Sequence, residues 1–247
     1  MLKKIGITLG IILIAAYMVF AVVYLNPHAE KNTVCEIVQV SVADTLERHY
    51  MTEAEIRRML QNAGLSPVGK RISEINTTAI EDKLAENRLI KRAECYKTIE
   101  GTVKIKVYQR IPVLRVFSPN GTYYIDNEGE QMPVPRNFAA YVPVAGGAIE
   151  SKYARTQLYE FALFLHKDKF WNAQIEQIYV TPNGDVELTP TVGNHQIILG
   201  KIADYKENLD KLRLFYEKGL NKVGWNRYSL INLKFKNQVV CTKREKE

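Results

Sequence analysis

The stretch VYQRIPVLRVF, Val107–Phe117, has the composition of a strand on both sides of Pro112. Proline has no amide hydrogen to give to a ladder, and it forces the residue before it, Ile111, into an extended conformation. The middle of a central strand would not tolerate it. The segment therefore reads as two strands of two different sheets that meet at a corner. That places a domain boundary between residues 111 and 112.

Upstream of the corner, TVKIKVYQR sets Val103, Ile105 and Val107 on one face and Lys104, Lys106 and Tyr108 on the other. RAECYKT, joined to it around Glu100-Gly101, reads as its neighbour, and CEIVQVSV as a third strand with Val38, Val40 and Val42 on one face. Two helices lie between. In TEAEIRRMLQNAGL, Thr52 and Glu55 form a capping box, Ile56, Met59, Leu60 and Ala63 a stripe, and Gly64 the stop. In TAIEDKLAEN, Thr78 and Glu81 are the expected cap partners, with Ile80 and Leu84 one turn apart. The order over residues 34–111 is β-α-α-β-β. Two helices cover one face of a three-stranded sheet, and the lysine-bearing face stays wet. Arg57, Arg58, Lys70 and Arg71 read as a solvated face.

Downstream, VLRVF runs to the turn SPNG, TYYID to NEGE, and VPVAGG to a further break. RTQLYEFALFLHKD is an amphipathic helix with Leu158, Phe161, Ala162 and Leu165 on its buried stripe. QIEQIYVT and DVELTP flank the turn PNG, and HQIILG follows. A last helix, DYKENLDKLRLFYEKGL, presents Tyr205, Leu209, Leu212 and Phe215/Tyr216. RYSLINLKF, the turn KNQ and the short strand VVCT complete residues 112–242, before the charged tail 243–247. The fold class is α+β, with an antiparallel sheet expected in this second domain.

The N-terminus has its own signature. From Ile5 to Leu25 no residue is charged, and a helix of that length spans about 30 Å, the thickness of a bilayer's hydrocarbon core. The run is longer than a signal peptide's apolar core, and Pro27 stands where a cleavage site wants a small residue. An uncleaved single-pass anchor is expected over 5–25, with linker 26–33. Lys3 and Lys4 on the short side place residues 1–4 in the cytoplasm and the body outside it.

Net charge is +7, and setting aside Lys3 and Lys4 leaves +5, spread among acids. A nucleic-acid surface would cluster its cations, so no nucleic-acid partner is expected. The cysteines Cys35, Cys95 and Cys241 are odd in number, and none forms a CxxC pair. The histidines His28, His49, His166 and His195 occur singly, without HxxxH or HExxH. No SxxK, GxSxG, GxGxxG or Walker loop is present. No catalytic residue, metal ligand or cofactor is expected.

The anchor, the β-α-α-β-β unit and the join YQRIPV together resemble the FtsQ/DivIB family of bacterial cell-division proteins. Arg110 lies two residues before Pro112; YYIDNEG supplies a D-x-x-G turn with Asp126 and Gly129; Pro143, Val144 and Gly146 match a further step. Gly193, Leu199, Gly200, Lys211 and Leu212 fall in the family's Gly-strand-LG-helix stretch, and YSLINLKF is similar to its IDLRY strand. Gln109, Asn232, Lys234 and Phe235 depart from the family pattern. The resemblance implies a POTRA domain followed by an FtsQ-type β domain in a non-enzymatic scaffold of the inner membrane and division septum. It implies FtsB-like and FtsL-like small coiled-coil partners, other divisome membrane proteins, and a last strand that accepts a strand from FtsB. A membrane-anchored POTRA-type chaperone or secretion component, or a tethered cell-wall hydrolase, is the alternative.

The residues offer their own reason for strand capture. KREKE is too short to pair as another strand, so VVCT is expected at an edge, its free amides and carbonyls a template for an added strand. The expected partner-binding residues are Phe235, Lys236, Asn237, Gln238, Val239, Val240, Cys241 and Thr242. Phe235 and Val239 are either anchors for incoming side chains or core, and the flanking lysines favour an acidic partner. Arg110 and Pro112 mark the domain junction.

Overall fold

A computed structural model of the 247-residue chain describes residues 2–24, 33–43, 50–98, 100–119, 121–135 and 138–245. Leu25, residues 26–32 of the expected linker with His28, His49, Asn120 of the SPNG turn and the last two residues of the tail lie outside the described residues. The chain divides into two compact units: Met1–Asp44 with Met51–Tyr108, and Thr45–Tyr50 with Gln109–Glu247. Helix α1 covers Leu2–Tyr24, and its side chains over residues 10–20 are exposed. Among the described residues no helix is long and apolar enough to cross a membrane.

The first unit has strands β1 (Ile37–Val42), β2 (Ile90–Lys97) and β3 (Thr102–Gln109) in the order β1-β3-β2. β1 runs parallel to β3, matching Val38 with Val103 and Val40 with Ile105. These four are buried beneath helices α2 (Glu53–Asn62) and α3 (Thr77–Ala85), which add Ile56, Leu60, Ile80 and Leu84. Thr52 caps α2 in a reciprocal capping box with Glu55. The α3 cap differs from the expected Thr78–Glu81 pair. The cap lies two residues earlier, so Asn76 is the N-cap and accepts from the Ala79 amide at 3.0 Å. Glu81 instead accepts from the Cys95 amide of β2 at 2.6 Å, tying helix to strand. Arg57 donates to the Val38 carbonyl and Lys70 to that of Gly64, so these two cations brace the fold.

The second unit is built on a nine-stranded sheet in the order β12-β11-β10-β9-β8-β7-β4-β5-β6. Its strands are β4 (Pro112–Ser118), β5 (Gly121–Asp126), β6 (Gln131–Pro133), β7 (Val144–Gly147), β8 (Ile175–Val180), β9 (Asp185–Pro190), β10 (Gln196–Lys201), β11 (Tyr228–Asn232) and β12 (Val240–Lys243). β3 ends at Gln109 in one sheet and β4 opens on Pro112 in the other, where a missing amide is least costly.

The sheet is mixed, a correction to the antiparallel expectation. β7 inserts parallel to both β4 and β8, and β11 is parallel to β10. Each parallel neighbour is reached by a long excursion, and two of these carry helices. One comprises α4 (Ser151–Arg155), α5 (Gln157–Lys167) and α6 (Lys169–Gln174); the other holds α7 (Tyr205–Phe215), a π turn at Tyr216–Leu220 and α8 (Asn221–Val223). The expected single helix near Arg155 is broken at Thr156, yet its stripe Leu158, Phe161, Ala162 and Leu165 is fully buried. Helices α5, α6 and α7 cover one sheet face on β4, β8 and β10. Val116, Ile178, Leu188, Ile197 and Ile231 meet Trp171, Leu209 and Leu212 in that core. Burying each such side chain contributes roughly 1.5–3 kcal/mol.

Candidate partner-binding edge

The edge starts from β11. Its Ile231 is fully buried and pairs with Ile197 of β10 on one side and Cys241 of β12 on the other. β12 forms the end of the sheet, and among the described residues no strand pairs along its outer side. Val240 is 43% exposed, Thr242 and Lys243 are exposed, and Cys241 turns half-buried toward the core, with burial pushing its thiol pKa up. The three cysteines are free thiols.

The segment that leads into β12 separates the two residues proposed as anchors. Val239 packs against the core, while Phe235 is 45% exposed. The expected strand to Phe235 stops at Asn232, because Asn232 Oδ1 accepts from the Lys234 amide at 3.0 Å and turns the chain. Lys236, Asn237 and Gln238 are exposed, and Asn237 adopts φ +60°, the left-handed conformation asparagine tolerates better than most residues.

A groove of about 700 Å³ runs between this segment and α7, lined by Leu214, Phe215, Lys218 and Val239 among others. The periodicity of α7 marked Phe215 but gave no hint of the groove, since its other wall arrives from more than twenty residues downstream. Beside it lies a hollow of about 340 Å³ with Lys201, Lys211, Lys234 and Lys236 on its walls, and Asp204 and Glu207 among the acids.

Lys234 is exposed and ion-paired. Its ammonium lies 2.7 Å from Asp185 Oδ2, and Lys201 lies 2.9 Å from Asp185 Oδ1. Lys234 first, and then Lys201, hold the Asp185 carboxyl below the usual carboxylate range. Gly200, at φ +86°, opens the passage: a Cβ there would sit 2.8 Å from Lys234 Cγ. Lys236 and Lys243 stay exposed beside the edge.

At the other end of the unit, Arg110 donates to Asp126 Oδ2 at 2.6 Å. Asp126 is fully buried, and its Oδ1 accepts from the amides of Glu128 and Glu130. Gln109, 2% exposed, accepts from the Tyr50 amide, and the Tyr50 hydroxyl donates to the Arg110 carbonyl. Among the described residues no group of three His, Cys, Asp or Glu side chains is arranged to hold a metal ion. His195 is buried with Nε2 2.8 Å from the Tyr216 hydroxyl, and is part of an aromatic cluster with Trp225.

Comparison with known proteins follows the division into two units. A family model described as FtsQ/DivIB, C-terminal related, matches residues 111–242, and one for a POTRA-like domain matches residues 33–108. The chain is 27% identical over 187 residues to the cell division protein FtsQ of Rhodothermus marinus, an alignment covering 70% of this chain and 67% of the relative. A solved structure similar in part is the major extracytoplasmic domain of the trans isomer of the cell-division protein DivIB from Geobacillus stearothermophilus. It shows 14% identity and a TM-score of 0.30, over 41% of this chain and 87% of that one.

Proposed function

Because the chain belongs to the FtsQ/DivIB family, whose C-terminal model matches residues 111–242, we propose that it is a membrane-tethered scaffold of the division machinery that captures a strand of a partner along β12. The partner class is an FtsB-like small coiled-coil membrane protein, acting together with an FtsL-like one. The apolar run Ile5–Leu25 serves as the anchor, with the body on the outer side of the cytoplasmic membrane at the septum. The work is binding; no catalytic group takes part.

The observation that carries this reading is the open outer side of β12. Ladder bonds supply affinity that is indifferent to side chains, and alternate side chains of the added strand supply specificity. The groove wall of Leu214, Phe215 and Val239, beside the segment that leads into β12, offers apolar surface to the partner. Lys236 and Lys243 favour acidic residues on its flanks and resist indiscriminate pairing.

The test uses proline. Neighbouring amides of a strand point to opposite sides, so one of Val240 and Cys241 gives its N–H outward and the other inward. Val240→Pro and Cys241→Pro are each assayed for folding by circular dichroism and for binding of a peptide from the FtsB-like protein of the same organism. The reading requires one of the two to stay folded and lose the peptide. Normal binding by both folded variants contradicts it.

A further inference from the structure

Lys211 lies on α7, and its ammonium donates to two carbonyls of the segment after β11: Leu233 at 2.9 Å and Phe235 at 3.0 Å. Loop carbonyls are ordinarily satisfied by water, so one cation bridging two of them fixes the path of the chain as well as their hydrogen bonding. The residue between them is held from other directions. The Lys234 amide donates to Asn232 Oδ1, its ammonium reaches Asp185 on β9, and the Leu233 amide donates to the Ile198 carbonyl at 2.9 Å. Three consecutive residues are thus tied to a helix and to three strands. Beyond them the chain bends at Asn237 and returns as β12, which is four residues long with one neighbour. A short edge strand with a single partner is marginal by itself, so its register depends on where the connection leaves β11.

We propose that Lys211 is a positioning residue for partner capture: its two bonds stake the start of the β11–β12 connection and hold β12 extended and in register before a partner arrives. This rests on the strand-capture reading. A preformed template spares the complex the entropy of ordering β12, and that saving is read as affinity. Lys211 also lines both the groove and the neighbouring hollow, as does Glu207.

The test compares full-length chains in nanodiscs: wild type, Lys211→Met, Lys211→Arg, and Lys222→Met, which removes the same charge from exposed α8, outside the groove lining. Hydrogen exchange at the amides of residues 236–243 reads the free protein; titration with a peptide from the FtsB-like protein of the same organism reads capture. Lys211→Met is expected to exchange about tenfold faster there and to bind about tenfold more weakly, with Lys211→Arg recovering most of both and Lys222→Met little changed. The tryptophan-monitored unfolding midpoint should move little. Wild-type exchange and binding in Lys211→Met overturn the proposal and leave strand capture standing. If the wild type itself does not bind the peptide, strand capture fails and this role for Lys211 fails with it, even where exchange shows that the stake exists. Should Lys211→Met fail to fold, Lys211→Gln against Lys211→Arg makes the same comparison.

Discussion

Arg110 and Asp126 form an ion pair of 2.6 Å between the last residues before β4 and the end of β5, with the Asp126 side chain fully buried and that of Arg110 21% exposed. The pair joins the two sequence signatures that flank the first hairpin of the sheet, and two backbone amides complete the coordination of the carboxylate.

Removing one partner leaves the other buried and unpaired, which costs more than the pair contributes. Arg110→Met is expected to destabilise the second unit by about 3 kcal/mol, and Arg110→Met with Asp126→Asn by less than the single change. Trp171 and Trp225, the chain's two tryptophans, both lie in that unit, so urea unfolding followed by their fluorescence measures it selectively. Equal cost for single and double changes would remove the argument.

A second prediction concerns β7. Gly147 sits at φ +100°, and a Cβ there would strike the Val180 carbonyl of β8. Gly147→Ala must distort a parallel ladder at the centre of the sheet, at a cost of about 1–3 kcal/mol. Gly146→Ala, with open space around its Cβ position, serves as the control. The same fluorescence assay should separate the neighbours clearly.

His195 gives a pH dependence. Burial, helped by the positive charge of Arg244, pushes its pKa below 6.5, against a weaker opposing effect of the Trp225 backbone. In the window between the unfolded value and the lower folded one, the unfolded chain binds the extra proton. Stability of the second unit is therefore fully present above about pH 6.5 and declines as pH falls below it. Unfolding midpoints at pH 7.5 and 5.5 check this, and His195→Gln should flatten the difference.

Much of this was legible in the residues. Pro112 announced the passage from one sheet to the other because proline's chemistry is local, and the α2 capping box and the α5 stripe lie within a few residues of their partners. What could not be read were contacts between distant segments. The insertion of β7 between β4 and β8 makes the sheet mixed, yet VAGG has no feature that distinguishes parallel from antiparallel pairing. Helix α6 was missed because KFWNAQ is short and starts on Asp168, whose capping of the Phe170 and Trp171 amides is reinforced by Arg213 from α7. Thr78 and Glu81 had cap spacing, but Asn76 lay nearer the true helix start. At the edge, the β12 position was accessible to pattern, whereas the exposure of Phe235 was left open and Lys211 lies 22 residues from its first acceptor. No local pattern pointed to the Lys234–Asp185 pair, because its members are 49 residues apart.

Strand capture requires β12 to be an open ladder onto which another chain adds a strand. Residue-resolved hydrogen exchange of the full-length chain, with and without the extracytoplasmic segment of the FtsB-like protein, measures this directly. The predicted result is protection of alternate amides within Val240–Lys243, those facing away from β11, with the inward-facing amides changed little. Binding that leaves those outward amides unprotected and slows exchange on another surface would contradict it.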